Sequence, residues 1–254
     1  IYTSATGKDD YNATTTTFMA NHVVDLSDAL NVTLGYEHAK SEGEFHTGTG
    51  AWLAQVNESR VNNAYYTTAS YLFDTDIVLT ASARTDRNSK FSTQDTYRLG
   101  IGAFGWRASA ANGYRLPTFY EMYGTDNFGF TGNPNVDPET SMSYEIGYRT
   151  NNYDIAVFQI ETEDALTYEY DPATWTSTYV NDTDGKQKSY GAEASVNFAF
   201  AEVDFTNTMS YIVSKDSANI DRLRRPRIKN SLRAERQFGK FNTALSVNYQ
   251  SSMY

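Results

Sequence analysis

Cysteine is absent from the 254-residue chain, so no disulfide, thiolate metal ligand or cysteine nucleophile is available to it. Proline is scarce, at five residues, and Pro117, Pro134 and Pro138 crowd into one stretch. There the missing N–H forbids regular ladder pairing. No segment reaches the ~18 consecutive apolar residues of a transmembrane helix. Ile1 to Ser4 carries neither a charged n-region nor an apolar core, the marks of a signal peptide, and reads as the end of a strand. Positive charge is in deficit: 21 Lys and Arg against 31 Asp and Glu give a net charge of -10. A general nucleic-acid binder needs a basic face, so no nucleic-acid partner is expected.

Aromatic side chains are plentiful. They make up 15% of the chain, with 20 tyrosines, yet the mean hydropathy is -0.57. That pairing suits a wall that is wet on one side and greasy on the other, with tyrosines at the interfaces.

Period-two alternation predicts about twelve strands. Phe18, Ala20, His22, Val24 and Leu26 share one face; Leu30, Val32, Leu34 and Tyr36 follow after a turn at Ser27 and Asp28. A polar loop is expected around 42–60. Tyr65 to Phe73, Ile77 to Ala83, Tyr97 to Ala103 and Trp106 to Ala110 continue the pattern. So do Met142 to Tyr148, Tyr190 to Phe200, Val203 to Val213, Ile228 to Phe238 and Phe241 to Tyr249. A single long strand is expected over 153–170; Ile155, Val157, Phe158 and Ile160 fall on both of its faces, which leaves them unassigned. The opposite face carries Arg98, Arg107, Glu145, Arg149, Glu193, Lys229, Arg233 and Glu235.

Alternation alone is compatible with a β-sandwich. The connections decide between the two: two or three residues at one end of the strands, ten to nearly thirty at the other, as in transmembrane barrels with short periplasmic turns and long external loops. Strands of about ten residues match the ~9–11 needed to span a bilayer. An Arg or Lys turned to the lipid midplane costs about 2–4 kcal/mol, so the charged face is assigned to the lumen.

One long connection organises the rest. It holds Gly113, Arg115 and Pro117; Glu121 and Tyr123; Gly132, Asn133 and Pro134; Pro138, Glu139 and Ser141; then Glu145 and Gly147. Tyr190 to Ala194 and Arg224 to Ile228 open later strands. This ordered set resembles the barrel domain of TonB-dependent outer-membrane receptors, with Val136 where leucine is more usual, and among its branches is most similar to the vitamin B12 receptors. The resemblance covers nearly the whole chain. It implies an all-β, antiparallel transmembrane barrel segment in the bacterial outer membrane, part of a barrel of about 22 strands. Residues 1–254 would be a partial barrel domain, without the plug domain, the first strands and the last strands. An open fragment would leave unpaired edges that a bilayer does not tolerate. The resemblance further implies an uptake receptor for cobalamin or a ferric siderophore, energised by a TonB complex acting through the plug. Arg115, Pro117, Gly132, Asn133, Pro134, Pro138, Glu139 and Glu145 would then be shape-setting.

Candidate contacts lie in the loops. Trp52, Phe119, Tyr120, Tyr123, Phe128, Phe130, Trp175 and Tyr179 offer flat surfaces for a large planar ligand. For any one of them, loop packing is the competing role. Arg222, Arg224 and Arg225 form a basic run suited to lipopolysaccharide phosphates, or simply to strand-start and lumen charge. Glu42, Glu44 and His46 are spaced by two, which permits a metal site but does not require one; a solvated strand edge is the expected reading, and no metal or other cofactor is assigned. Asp182 to Gly185 is half a calcium loop without the closing glutamate and is read as a hairpin tip. No serine has a nucleophile-elbow setting, so an enzyme is not expected. A passive porin and a secreted carbohydrate-binding β-protein are the rival readings.

Overall fold

The computed structural model describes residues 3–4, 7–8, 10–47, 54–126 and 128–253. Its strands are β1 (Thr3–Ser4), β2 (Gly7–Lys8), β3 (Asp10–Asp25), β4 (Leu30–Thr47), β5 (Ala54–Leu72), β6 (Val78–Asn88), β7 (Gln94–Ala103) and β8 (Trp106–Arg115). One short helix, α1 (Phe119–Tyr123), follows. Then come β9 (Glu139–Arg149), β10 (Tyr153–Glu163), β11 (Ala165–Asp171), β12 (Thr176–Asp182), β13 (Gln187–Phe200), β14 (Val203–Lys215), β15 (Ile228–Phe238) and β16 (Phe241–Gln250). Twelve strands form one antiparallel sheet in the order β16-β15-β14-β13-β10-β9-β8-β7-β6-β5-β4-β3; β11 and β12 form a separate hairpin.

The register separates the two faces. One row of cross-strand partners runs Leu30, Tyr71, Leu79, Ile101, Ala108, Ile146, Val157, Ala192, Tyr211 and Ile228. Every member is apolar or aromatic. A row on the other face runs Val78, Gly102, Arg107, Gly147, Ala156, Glu193, Ser210, Lys229 and Gln250. Among the described residues no second large sheet covers the apolar face, and Ile146 and Leu245 remain 54% and 66% exposed. A contiguous apolar face of that extent is untenable in water. Lipid is the medium that satisfies it, which removes the β-sandwich reading. Exposed Tyr65, Tyr97, Tyr144, Tyr190 and Tyr249 border the apolar band toward the long connections, and Trp106, Phe198, Phe200, Phe238 and Phe241 border it toward the short turns. These are the two interfacial girdles of a membrane barrel.

The short connections are 26–29, 73–77, 104–105, 150–152, 201–202 and 239–240. The two-residue turns need left-handed backbone: Phe104 and Gly105 at φ 52° and 83°, Ala201 and Glu202 at 50° and 61°. Such turns match the right-handed twist of the flanking strands.

Several sequence expectations need correction. The loop expected at 42–60 is largely strand, since β4 and β5 stay paired from Leu30↔Tyr71 up to Thr47↔Ala54. That hairpin stands beyond the bilayer, where neither face meets lipid, so hydropathy no longer alternates although the ladder continues. The strand expected over 153–170 breaks at Asp164, whose φ is 52°. β10 stays in the wall, and β11 turns away to pair with β12. Register also assigns the undecided faces of β10: Ile155 and Val157 pair with Tyr148 and Ile146 on the lipid side, whereas Phe158 opposes Glu145 inside. Residues 183–186 link β12 to β13 rather than capping a hairpin. The tip of that hairpin is 172–175.

Candidate functional site

The connection over 116–138 is a built object. Thr118 caps α1: its hydroxyl accepts from Glu121 N at 3.1 Å, and Glu121 Oε2 accepts from Thr118 N at 2.7 Å, a capping box. Arg115 holds both ends of the connection together. Its Nε donates to Glu139 Oε2 at 2.6 Å and its Nη1 to the Glu121 carboxylate at 3.0 Å. Glu139 Oε1 also accepts from Leu166 N. Burial alone would raise the Glu139 carboxyl, but Arg115 and that backbone N–H outweigh it and hold it below the usual carboxylate range. Pro117 is fully buried and its carbonyl accepts from Arg60 Nη1. Gly132 lies against the last turn of α1, where a Cβ would come within 2.6 Å of Met122 C. Gly132 N donates to Gly124 O and Asn133 N to Glu121 O. Pro138 is buried and Pro134 exposed.

The same connection is zipped to the β11–β12 hairpin. Ser177 N donates to Gly129 O and Thr131 N to Ser177 O, both at 3.0 Å. Asn133 Nδ2 donates to Tyr179 O, and Asn181 exchanges bonds with Asp137 through Asn181 Nδ2→Asp137 O and Asp137 N→Asn181 Oδ1. Gly129, at φ 94°, passes so close that a Cβ would meet Trp175 O at 2.3 Å. The tips carrying Phe128 and Trp175 are therefore held side by side.

The loop aromatics divide by burial. Phe130 is 3% exposed, stacked on Tyr120 at 5.0 Å and edge-on to Tyr179 at 5.8 Å. Tyr11 meets Tyr120 at 5.7 Å and ties the cluster to β3. Burial raises the Tyr120 and Tyr179 hydroxyl pKa values, which keeps both neutral. Phe119 is 7% exposed, with its ring in the slot left by Gly43 and the Arg60 guanidinium 5.0 Å above it. Phe119 and Phe130 are the packed foundation. Phe128 at 90% and Trp175 at 75% exposure are its open surface. Tyr123 is half-buried and stands 5.4 Å from Lys90. Trp52 lies outside the described residues.

Inside the wall, Gly147 leaves the space in which Arg107 lies flat. A Cβ there would stand 2.5 Å from its Cζ. Arg107 thereby reaches Glu145 at 2.9 Å and Asp154 at 2.7 Å, and Arg149 Nε bonds the other Asp154 oxygen. The Glu-x-Gly spacing is thus one guanidinium cradle. Arg222, Arg224 and Arg225 are exposed on the 216–227 connection, with Arg224 at φ 58°. Glu44 stands 3.5 Å from His46 on β4. Among the described residues no group of three or more His, Asp or Glu side chains is arranged to hold a metal ion. Asp182 Oδ2 accepts from Ser217 Oγ at 2.6 Å and so ties two loops together.

A family model described as "TonB dependent receptor-like, beta-barrel" matches residues 1–254. The chain belongs to that family. Over 206 residues it is 26% identical to the vitamin B12 transporter BtuB of Photobacterium profundum, covering 77% of the chain and 32% of that protein. Over 115 residues it is 36% identical to BtuB of Vibrio vulnificus, covering 41% and 18%. The siderophore receptor PirA of Pseudomonas aeruginosa superposes with a TM-score of 0.75 at 15% identity, over 97% of this chain and 47% of that one. The chain thus spans less than half the length of each, and the PirA likeness concerns the fold alone. As a TonB-dependent receptor barrel, the sheet is outer-membrane wall, with its apolar face to lipid and its long connections outside.

The sequence pointed to the motif residues but not to their partners. Arg60, Asn181 and the β11–β12 hairpin carry the loop assembly and were missed. The Thr118-x-x-Glu121 box was a readable helix signal.

Proposed function

We propose that this chain is the wall and outer loop assembly of a TonB-dependent receptor that imports cobalamin across the outer membrane. The observation carrying this reading is the pair of exposed rings, Phe128 and Trp175, on the zipped loop assembly, with Asp126 accepting from Phe128 N and Asp171 accepting from Ala173 N in the Trp175 turn. Flat exposed aromatics suit a large macrocycle. The surrounding carboxylates repel an anionic iron chelate but not a ligand of little net charge. The BtuB relatives agree with a corrinoid ligand. Binding outside would be passed to a plug domain seated against the inner row of Arg107, Glu193 and Lys229, with a TonB complex supplying the energy. The residues of this chain bind, orient and guide; no bond is made or broken.

A second reading, a ferric siderophore, draws on exposed Arg222, Arg224 and Arg225, which would attract an anionic chelate. Equilibrium binding to the full-length receptor in detergent separates the two. Cyanocobalamin should bind saturably, and Trp175→Ala with Phe128→Ala should weaken it at least roughly tenfold, the order expected for losing two aromatic contacts. Binding of a ferric tris-catecholate in place of cyanocobalamin, lost on Arg222→Gln with Arg225→Gln, would overturn the first reading in favour of the second.

A further inference from the structure

The outer edge of β11 is open. On β12, Ser177 N donates to Gly129 O and Ser177 O accepts from Thr131 N, so both groups point away from β11. Ser177 is the cross-strand partner of Tyr170, and the antiparallel period therefore directs the N–H and C=O of Tyr170, Tyr168 and Leu166 away from β12. Leu166 N obeys this by donating to Glu139 Oε1. Among the described residues nothing pairs with the N–H or C=O of Tyr168 or Tyr170. The break at Asp164 takes the hairpin out of the wall sheet, so no wall strand covers this edge. An uncovered edge is a template for another extended chain.

The two faces beside the edge differ. Tyr168 and Tyr170 project on one, 54% and 49% exposed. Glu169 and Asp171 project on the other, opposite Thr178 and Thr176. This second face floors a groove of about 480 Å³ whose far wall is Gly132 to Pro134. Asp171 accepts from Ala173 N and Thr174 Oγ1, which hold its carboxyl below the usual range and keep it charged. Among the described residues no Lys or Arg answers Asp171 or Glu169. A strand added at the edge would place alternate side chains on each face. One set would meet tyrosine rings and the other would meet carboxylates.

We propose that β11 takes up an extended cationic peptide from outside the cell as a further antiparallel strand, with apolar residues against Tyr168 and Tyr170 and basic residues against Glu169 and Asp171. Antiparallel pairing is the stronger kind, and it makes the residues opposite Tyr168 and Tyr170 the hydrogen-bonded ones. The proposal rests on the external placement of the hairpin and not on the imported ligand. The probe is an end-capped Lys-Val-Lys-Val-Lys-Val peptide titrated into the full-length receptor in detergent. N-methylation of its valines should weaken binding at least roughly tenfold, the order of two lost backbone bonds. N-methylation of its lysines should not. Glu169→Lys should weaken binding severalfold through repulsion, and Glu202→Lys, in a short turn across the membrane, should leave it unchanged. The Tyr168 and Tyr170 amides should exchange fast in the receptor alone and slowly with the peptide bound. Absence of binding, or binding indifferent to valine N-methylation, which charge attraction alone would give, would overturn the proposal. So would slow exchange of those two amides in the receptor alone, because another of its own loops would then cover the edge.

Discussion

Gly132→Ala is the sharpest single perturbation of the loop assembly. The added methyl would lie 2.6 Å from Met122 C and Tyr123 N and 2.8 Å from Met122 O. These are backbone atoms at the end of α1, so no side-chain rotation relieves the overlap. The two segments must part, which breaks Gly132 N→Gly124 O at 2.7 Å and Asn133 N→Glu121 O at 2.9 Å. At about 1 kcal/mol for each such bond, docking weakens by about 2 kcal/mol. At 1.4 kcal/mol per tenfold change, the undocked state gains roughly thirtyfold. Hydrogen exchange read by mass spectrometry on the full-length receptor should show faster exchange over 119–137 and over β12, with β6 to β9 unaffected. Gly102→Ala is the control, because its nearest neighbour is Trp106 O at 3.7 Å. Unchanged exchange over 119–137 in Gly132→Ala, or an increase spread evenly through the wall, would refute the close-approach reasoning.

Three further outcomes are expected. Leu245→Arg on the lipid side should impair membrane assembly by about 2–4 kcal/mol near the midplane, and Ser246→Arg on the inner side should not; heat-modifiable migration reads both, and equal behaviour would undo the face assignment. Arg115→Lys should not fully restore what Arg115→Ala loses, because Arg115 addresses Glu139 through Nε and Glu121 through Nη1 from fixed positions of a planar fork, which a single compact ammonium does not reproduce; proteolysis of the 116–138 connection on intact cells is the readout. Glu139 has a lowered native pKa, so its contribution to loop docking is complete above the ordinary value of 4.5 and is lost as pH falls through the lower native value. Protease protection of the loop should decline in that acid window in the native receptor and stay flat in Glu139→Gln.

The membrane wall was legible because lipid and lumen impose opposite chemistry on neighbouring residues. Leu79, Ile101 and Ile146 alternate with Thr80, Gly100 and Glu145, and each such run gave a strand and its face. Legibility failed where that contrast ends. Glu42, Gly43 and Glu44 read as loop because their hairpin stands outside the bilayer, although they pair with Ser59, Glu58 and Asn57. β10 resisted assignment because its lumen face carries Phe158 and Ile160, apolar residues where charge was expected. Within the loops, residue type could nominate Phe119, Phe130, Phe128 and Trp175 alike. Only packing separates the first two, enclosed by Gly43, Arg60 and Tyr120, from the last two, which stand open. The break at Asp164 left no warning beyond a residue tolerant of positive φ.

The most direct test of the account is accumulation of labelled cyanocobalamin by cells whose only outer-membrane corrinoid route is the full-length receptor, with the TonB complex energised or not. Saturable uptake that stops when the TonB complex is lost, and falls with Trp175→Ala, is the predicted result. Uptake that continues without that complex would mean a passive channel, and the receptor reading would be wrong.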